Sequence, residues 1–413
     1  MSGDESKCDV AIVGGSYAGL ALALALDSCL DGTVSISIIE RSAPDVHTPA
    51  RPDPRAFAVT AGSRHLFEAI GVWPAIAAEA EPVVGIEITD SGLSDAVRPV
   101  LLSYDNIVDG SAQTHIVDGG VLRDALLKAV WDRPAVRWIA PADLVSFEGG
   151  SESVQLGLGG AGAIRARVAV AADGGRSRLR DLAGIGVTPQ AYGQVGIVAT
   201  VGIEKRHNGR AVQHFLPGGP FALLPLTGNR FCVTWSEGED RAKEILAMPD
   251  DLFLEELQQR AGWRFGELSL EGERKSWPIQ GRLARDLVRG RVALIGDAAR
   301  SVHPIAGQGL NLGLRDVAAL SEAMVEAVRL GLDFGDATAL ARYQRWRRFD
   351  NVQSSLAFGI LNSLFSNDWA LLRSVRSAGL GVVERLAGLK SVLVAEAAGQ
   401  QGDVPLLLKG ELP

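Results

Sequence analysis

Residues 290–316, GRVALIGDAARSVHPIAGQGLNLGLRD, constrain the fold of this chain more than any other stretch. The apolar run Val292 to Ile295 reads as a buried strand. Gly296-Asp297 ends it with a carboxylate at its carboxyl end, the edge where open α/β sheets bind ligands. An Asp so placed is suited to a hydroxylated ligand. Pro304, Gly307 and Gly309 then force an irregular loop whose backbone can approach a ligand closely. From about Leu310 the spacing turns helical, with Leu310, Leu314, Val317, Leu320 and Met324 on one face. The start of that helix offers free N–H groups to an anion.

The amino-terminal stretch has the same grammar. Cys8 to Val13 reads as a strand, Gly14, Gly15 and Gly19 follow at a turn, and Leu20 to Leu30 reads as an apolar helix. A second strand, Val34 to Ile39, ends in Glu40. This is the dinucleotide-binding βαβ pattern, in which glycines let the backbone meet a pyrophosphate and an acid accepts hydrogen bonds from the adenosine ribose. Glu40 follows Gly19 by 21 positions, near the expected interval of about 20. Ser16 stands where the pattern has its second glycine, and it is small enough to keep the approach open. Taken alone, the stretch also fits an ordinary glycine-rich turn between core elements. A third strand end, in RVAVAADGGRSRLR, again supplies a carboxylate and a glycine, Asp173-Gly174. Three such turns in sequence order are hard to obtain from packing needs alone.

The intervening chain divides by pattern. Two prolines enforce an extended entry after Arg51, before a helix through Leu66 and Ile70. Arg55 in that entry is either a solvated cation or a ligand contact. DGGVLRDALLKAV returns to helix with Asp118 as N-cap. Val136 to Ala172 alternates in short runs and reads as a small antiparallel meander. Val84 to Thr89, Val100 to Tyr104 and residues 192–236 are strand-rich, and helices are expected at Arg241 to Ala247 and Leu252 to Ala261. These assign residues 83–103 and 186–274 to an inserted sheet-rich substrate domain, one face of which is a candidate wall for an apolar pocket. Residues 1–82, 104–185 and 275–341 form a discontinuous cofactor domain, and 342–413 a C-terminal helical region.

Composition narrows the function. The chain has 413 residues, 47% of them hydrophobic, and a net charge of −8, which argues against nucleic acid as the main partner. Cys8, Cys29 and Cys232 show neither CxxC spacing nor an even set, so no metal site or disulfide framework is expected, and a reducing cytoplasm fits. The uncharged residues 10–26 follow an acidic MSGDESKCD, not a basic leader, and no stretch is long and apolar enough to span a bilayer. Against the overall charge, residues 342–390 carry eight basic and three acidic side chains. Leu372, Val375, Gly379, Val382, Leu386, Leu389 and Leu393 form an apolar stripe there at helical spacing. Such a helix docks on its own domain, on a partner helix or on an anionic membrane surface.

Together these stretches resemble the aromatic-ring hydroxylases of the flavoprotein monooxygenase class, and within it the ubiquinone-biosynthesis hydroxylase family. HPIAGQGLNLGLRD is the most specific part, joined by RAFAVTAGS from Arg55, GPFALLPL from Gly219 and SNDWALLR in the tail. The resemblance implies an α/β fold: a Rossmann-like FAD-binding domain of the p-hydroxybenzoate hydroxylase kind with an inserted sheet-rich substrate domain. It implies that Gly14, Gly15, Ser16 and Gly19, with Glu40 and Arg41, hold the ADP half of FAD. Arg55 and Arg123 would lie near the flavin and ribityl chain. Gly296-Asp297 would bind the ribityl hydroxyls, and the backbone through Pro304, Gly307, Gly309, Leu310 and Asn311 would face the flavin pyrimidine edge. Asp173-Gly174 matches the motif associated with both FAD and the nicotinamide donor.

The implied reaction passes a hydride from NADPH or NADH to FAD, then uses O₂ to place one oxygen atom on an electron-rich ring. A polyprenyl phenol is the implied substrate. A soluble aromatic substrate, an FAD reductase of a prenyl chain and a non-catalytic FAD-binding subunit are the competing readings. His303 is weighed as a proton relay against an oriented structural histidine beside Pro304, whose own part is to position the loop. Asp297, Ser301 and His303 crowd one loop without a GxSxG elbow, so a hydrolase triad is rejected. The implied location is the cytoplasm, at the inner face of the membrane, where the tail helix meets lipid or other quinone-biosynthesis proteins. A homo-oligomer is left open.

Overall fold

The computed structural model describes residues 5–43, 53–90, 92–93, 98, 100–160, 162–304, 307–348 and 404–413. Its first sheet is built on the strand Glu5–Val13. On one side this strand pairs in parallel with Ile36–Ile39, which pairs in parallel with Val136–Ile139; on the other it pairs in parallel with Gly162–Ala171. The far edge of Gly162–Ala171 is shared by the antiparallel Val154–Gly159 and, nearer its end, the parallel Val292–Leu294. The parallel segments are runs without polar alternation because both faces are covered: Val10 to Ile12, Val168 to Ala171 and Val292 to Leu294 are all fully buried. The meander expected over Val136 to Ala172 therefore holds only for Asp143–Gly149, Val154–Gly159 and Gly162–Ala171. Val136–Ile139 joins the parallel part instead, a pairing with distant residues that local alternation does not reveal.

The helix Tyr17–Cys29 is apolar on all sides because it packs against the sheet, the helix Gly119–Trp131 and the long helix Gly309–Arg329. Leu20, Leu22, Leu24 and Leu26 are each 0% exposed, and burying each contributes about 1.5–3 kcal/mol. A charge at Leu22 would be left unpaired in this core.

The second sheet runs in the order Arg300–Ser301, Leu268–Ala284, Val187–Ile203, Arg230–Gly238, Gly219–Leu226, Arg210–Leu216, Gly85–Asp90, Val100–Asp105. The division expected at 274/275 falls inside the strand Leu268–Ala284. One face of this sheet packs Phe221, Phe231 and Trp235 under the helices Glu239–Ala247 and Asp250–Ala261. The other packs Val198, Ala211 and Cys232 on Ala58 and Ile116, which belong to a small third sheet of Ala56–Thr60, Thr114–Asp118 and Glu81–Pro82. The second sheet is thereby pressed against the segment that carries Arg55.

Residues 337–348 are helical and anchor through Tyr343, whose hydroxyl donates to Leu294 O at 2.6 Å. The 3₁₀ turn Leu406–Lys409 buries Leu407 and Leu408 in the first core, and Leu406 N–H donates to Glu322 at 2.7 Å. The stripe from Leu372 to Leu393 lies outside the described residues. Among the described residues no helix is long and apolar enough to cross a membrane.

Candidate functional site

In the first sheet Val13 is in register with Ile39 and with Ala171, and Ala171 with Leu294. Four parallel strands thus end on one line, and the residues that follow them emerge at one edge. A cavity of about 470 Å³ opens there. Its walls include Gly14 and Ser16 after the first strand, Glu40 and Arg41 after the second, and Asp173 and Gly174 after the third. Gly296 and Asp297 after the fourth, Gly309 and Leu310 at the start of the long helix, and Arg55 complete the expected residues found in the wall.

The turn after the first strand is made of main-chain contacts. Gly14 has φ +111°, and a Cβ there would lie 2.3 Å from Ala172 O; a Cβ on Gly19 would lie 2.0 Å from Gly14 O. Gly15 is absent from the wall, but its N–H donates to Glu40 Oε2 at 2.6 Å, while Arg41 N–H donates to Oε1 at 2.9 Å. Two amides therefore fix the carboxylate expected to meet the ribose.

Two helices start at this edge, and their starts differ from that of the neighbouring helix Gly119–Trp131. The helix Gly119–Trp131 is capped by Asp118, which accepts from Gly120 and Val121 N–H. Neither Tyr17–Cys29 nor Gly309–Arg329 has a side-chain cap or an acid in its first turn. Both open toward the cavity with the positive end of the helix uncompensated, as anion seats do.

Three acids meet the cavity in different states. Asp173 Oδ2 accepts from Arg178 and Leu179 N–H at 2.7 and 3.2 Å, while Oδ1 is buried with no hydrogen-bond partner among the described residues. Asp297 has its surface open to the cavity but protein around its base. Burial raises its carboxyl above the ordinary range, Arg300 and Arg55 oppose this, and Asp316 adds to it. Glu40, as described, is held by amides.

Arg55 is gripped by Asp53, Nε to Oδ1 at 2.9 Å and Nη2 to Oδ2 at 2.6 Å. Its guanidinium lies 5.7 Å from the centre of the Phe57 ring and 5.9 Å from that of Trp277, so it links the cavity to the second sheet. Tyr17 and Phe57, also in the wall, were not singled out by sequence. Tyr17 had the signal of standing inside the glycine turn.

Arg123, Pro304, Gly307, Asn311 and His303 are not in the wall. Arg123 is on the helix Gly119–Trp131; burial pushes the Tyr17 phenol up, and Arg123 is near enough to oppose this in small part. Asn311 spends its side chain on the strand Ala56–Thr60: Oδ1 accepts from Thr60 N–H at 3.1 Å and Ser63 Oγ at 2.7 Å, and Nδ2 donates to Ala58 O at 2.7 Å. His303 is 0% exposed. Its Nε2 lies 3.1 Å from Gln194 Oε1, so Nε2 carries the proton, and Nδ1 has no hydrogen-bond partner among the described residues. Burial pushes this imidazole down to about 4, so it is neutral at physiological pH. Pro304 follows it, half-buried.

A second cavity, about 360 Å³, lies on the helix-covered side of the second sheet. Its walls include Trp235, Glu237, Glu256 and Arg260. Among the described residues no group of three or more His, Cys, Asp or Glu could hold a metal ion.

The first cavity fits an extended dinucleotide. It offers a glycine turn that a Cβ would fill, two uncapped helix starts for anionic groups, and an orphaned acceptor in Asp173. Comparison with known proteins agrees. The chain matches the FAD binding domain family over residues 7–349. It is 39% identical to the ubiquinone hydroxylase UbiL of Rhodospirillum rubrum, over 97% of this chain and 91% of that protein. It is 32% identical to the 3-demethoxyubiquinol 3-hydroxylase of Escherichia coli, over 95% and 98%. Among solved structures, p-nitrophenol 4-monooxygenase PnpA of Pseudomonas putida superposes with TM-score 0.78 at 18% identity, over 96% of this chain and 100% of that one. Klebsiella pneumoniae HpxO complexed with FAD superposes with TM-score 0.72 at 18% identity, over 95% and 98%. At these identities the superpositions speak for the fold alone.

Proposed function

The chain belongs to the FAD binding domain family, among its ubiquinone hydroxylases, and from this we propose that it hydroxylates the aromatic ring of a polyprenylated phenol in ubiquinone biosynthesis. The observation that carries the reading is the alignment of four strand ends on one cavity, since it joins all three carboxylate turns into a single extended seat. Bound FAD supplies the redox chemistry, taking a hydride from NADPH or NADH and using O₂ to put one oxygen atom on the ring and release the other as water.

The chain's own part is to bind, orient and shield. The amides of the uncapped helix start at Ser16-Tyr17 would hold the pyrophosphate, and Glu40 the adenosine ribose. Asp297 would accept from ribityl hydroxyls. The start of the helix Gly309–Arg329 would stabilise negative charge arriving at the pyrimidine edge, as a preorganised dipole does. His303, neutral and held by Gln194, would orient the loop rather than carry a proton.

Residues 83–103 and 186–274, carried on to the end of the strand Leu268–Ala284, would form the substrate domain and the rest up to 341 the FAD domain. The prenyl-chain reading draws support from the apolar stripe Leu372 to Leu393 with Arg373, Arg376, Arg385 and Lys390 beside it, which would rest on an anionic membrane surface. Arg347, counted with them by sequence, is spent on Asp316. The purified protein should be yellow, with one FAD per chain, and a prenylated phenol should stimulate its NADPH oxidation and gain a hydroxyl. A chain that stays colourless after incubation with FAD would sink the flavoenzyme reading. An unaltered quinone profile in a deletion strain, with any redundant hydroxylase also removed, would sink the pathway.

A further inference from the structure

We propose that Asp316 and Arg300 form a positioning pair for cofactor binding, acting from behind the Gly296-Asp297 turn. The proposal rests on the FAD reading above and concerns residues that no part of that reading uses. Asp316, early in the helix Gly309–Arg329, is 0% exposed. Its Oδ2 accepts from Gly296 N–H at 3.0 Å and from Arg300 Nη1 at 2.6 Å, and its Oδ1 accepts from Arg347 Nε at 2.8 Å.

One oxygen therefore joins the turn that presents Asp297 to the helix whose first residues also wall the cavity. The join is close, since a Cβ on Gly313, one turn before Asp316, would lie 3.3 Å from Gly296 Cα. Turn and helix start are held as one body. Arg300 brings in a third element, because its short strand pairs with Leu283 of the second sheet. The expected ribityl acceptor, the expected anion seat and the sheet facing them are thus fixed through a single carboxylate.

Charge gives a second argument. Two guanidiniums are buried here on the one carboxylate of Asp316. Among the described residues Arg300 Nε and Nη2 have no hydrogen-bond partner. Apolar residues of the same volume would pack here at lower cost. What the cation faces in exchange is Asp297, on the cavity side of the same turn.

Three variants separate positioning from plain stability: Asp316→Asn, Arg300→Met, and Arg347→Met, which removes the contact to the oxygen remote from the turn. Each is purified, and apoprotein melting and FAD dissociation constant are measured side by side. Asp316→Asn and Arg300→Met should weaken FAD binding about tenfold or more relative to Arg347→Met for a matched loss of apoprotein melting temperature. Arg300→Lys, which restores the charge, should recover part of that loss. If affinity falls only in proportion to melting in all three, or does not fall, the pair is structural and the proposal is overturned. If Asp316→Asn does not fold, the comparison of Arg300→Met with Arg300→Lys decides alone. A wild-type chain that binds no FAD would remove the functional reading itself, and this proposal with it.

Discussion

The two cavities are walled by different materials. At the edge of the first sheet the wall is built on glycine turns, strand ends and two helix starts without side-chain caps. Under the helices of the second sheet it is side chain, with Arg260 lying 4.2 Å over the Trp235 ring and bonded to Glu256 and Glu237. The main-chain site keeps donors and one carboxylate oxygen unspent. In the side-chain site cations and carboxylates already neutralise one another, so it holds the domain together and offers a ligand little. Unspent main-chain donors at a cavity suit a ligand, whereas charges paired with one another suit packing.

The largest effect should come from breaking the side-chain network. Arg260→Met leaves Glu237 without its buried cation, while Glu256 keeps Arg241 at 2.6 Å, and should destabilise the chain by about 3 kcal/mol. FAD affinity of the folded protein should not change; a parallel loss would mean the two cavities are coupled. Next in size is Gly309→Val. A Cβ at Gly309 meets nothing within 4 Å, so the added side chain has only the cavity to occupy. FAD binding should weaken about tenfold, while apoprotein melting stays within about 2 °C. Gly307→Val is the contrast, because Gly307 has φ +61° and its Cβ would approach Ala58 at 3.3 Å, so melting should fall too.

The smallest effect is in pH. At Asp333 partial burial is outweighed by Arg291, the Gly335 amide and Arg167, which hold the carboxyl at about 2. Its stabilisation is complete above the ordinary carboxylate range and is lost as pH falls toward 2. Asp297 has the opposite sign: its folded-state carboxyl is raised, so it takes up a proton first, which favours the folded apoprotein but weakens a ribityl acceptor. Acid should therefore release FAD, seen as recovered flavin fluorescence, before it unfolds the chain, seen by circular dichroism. Asp297→Asn should bind FAD more weakly at neutral pH and lose that early release. Coincident transitions in the wild type would contradict this ordering.

The same contrast explains what the sequence made legible. Gly14, Glu40, Asp173 and Asp297 each follow an apolar run directly, so a main-chain site leaves its pattern in consecutive residues. Asp316, Arg300 and Arg347 come from three elements and meet only through the fold, so no local spacing announces them. The parallel pairing of Val136–Ile139 escaped for the same reason. Asn311 was expected through its backbone, and nothing in the sequence foretold that its side chain would bind Thr60, Ser63 and Ala58. Arg55 illustrates the limit of single-residue reading: solvent contact and a fixed partner, Asp53, coexist in one side chain.

The docking of Leu407 and Leu408 into the first core has a consequence for how this chain can vary. It ties the two ends of the chain on either side of residues 349–403 to the same domain. The entropy of closing a segment between two such ends grows only with the logarithm of its length, about 0.6 kcal/mol per doubling. Insertions and deletions there are thermodynamically cheap, provided the clasp survives. The two points from which that segment departs and returns are set by the cofactor domain.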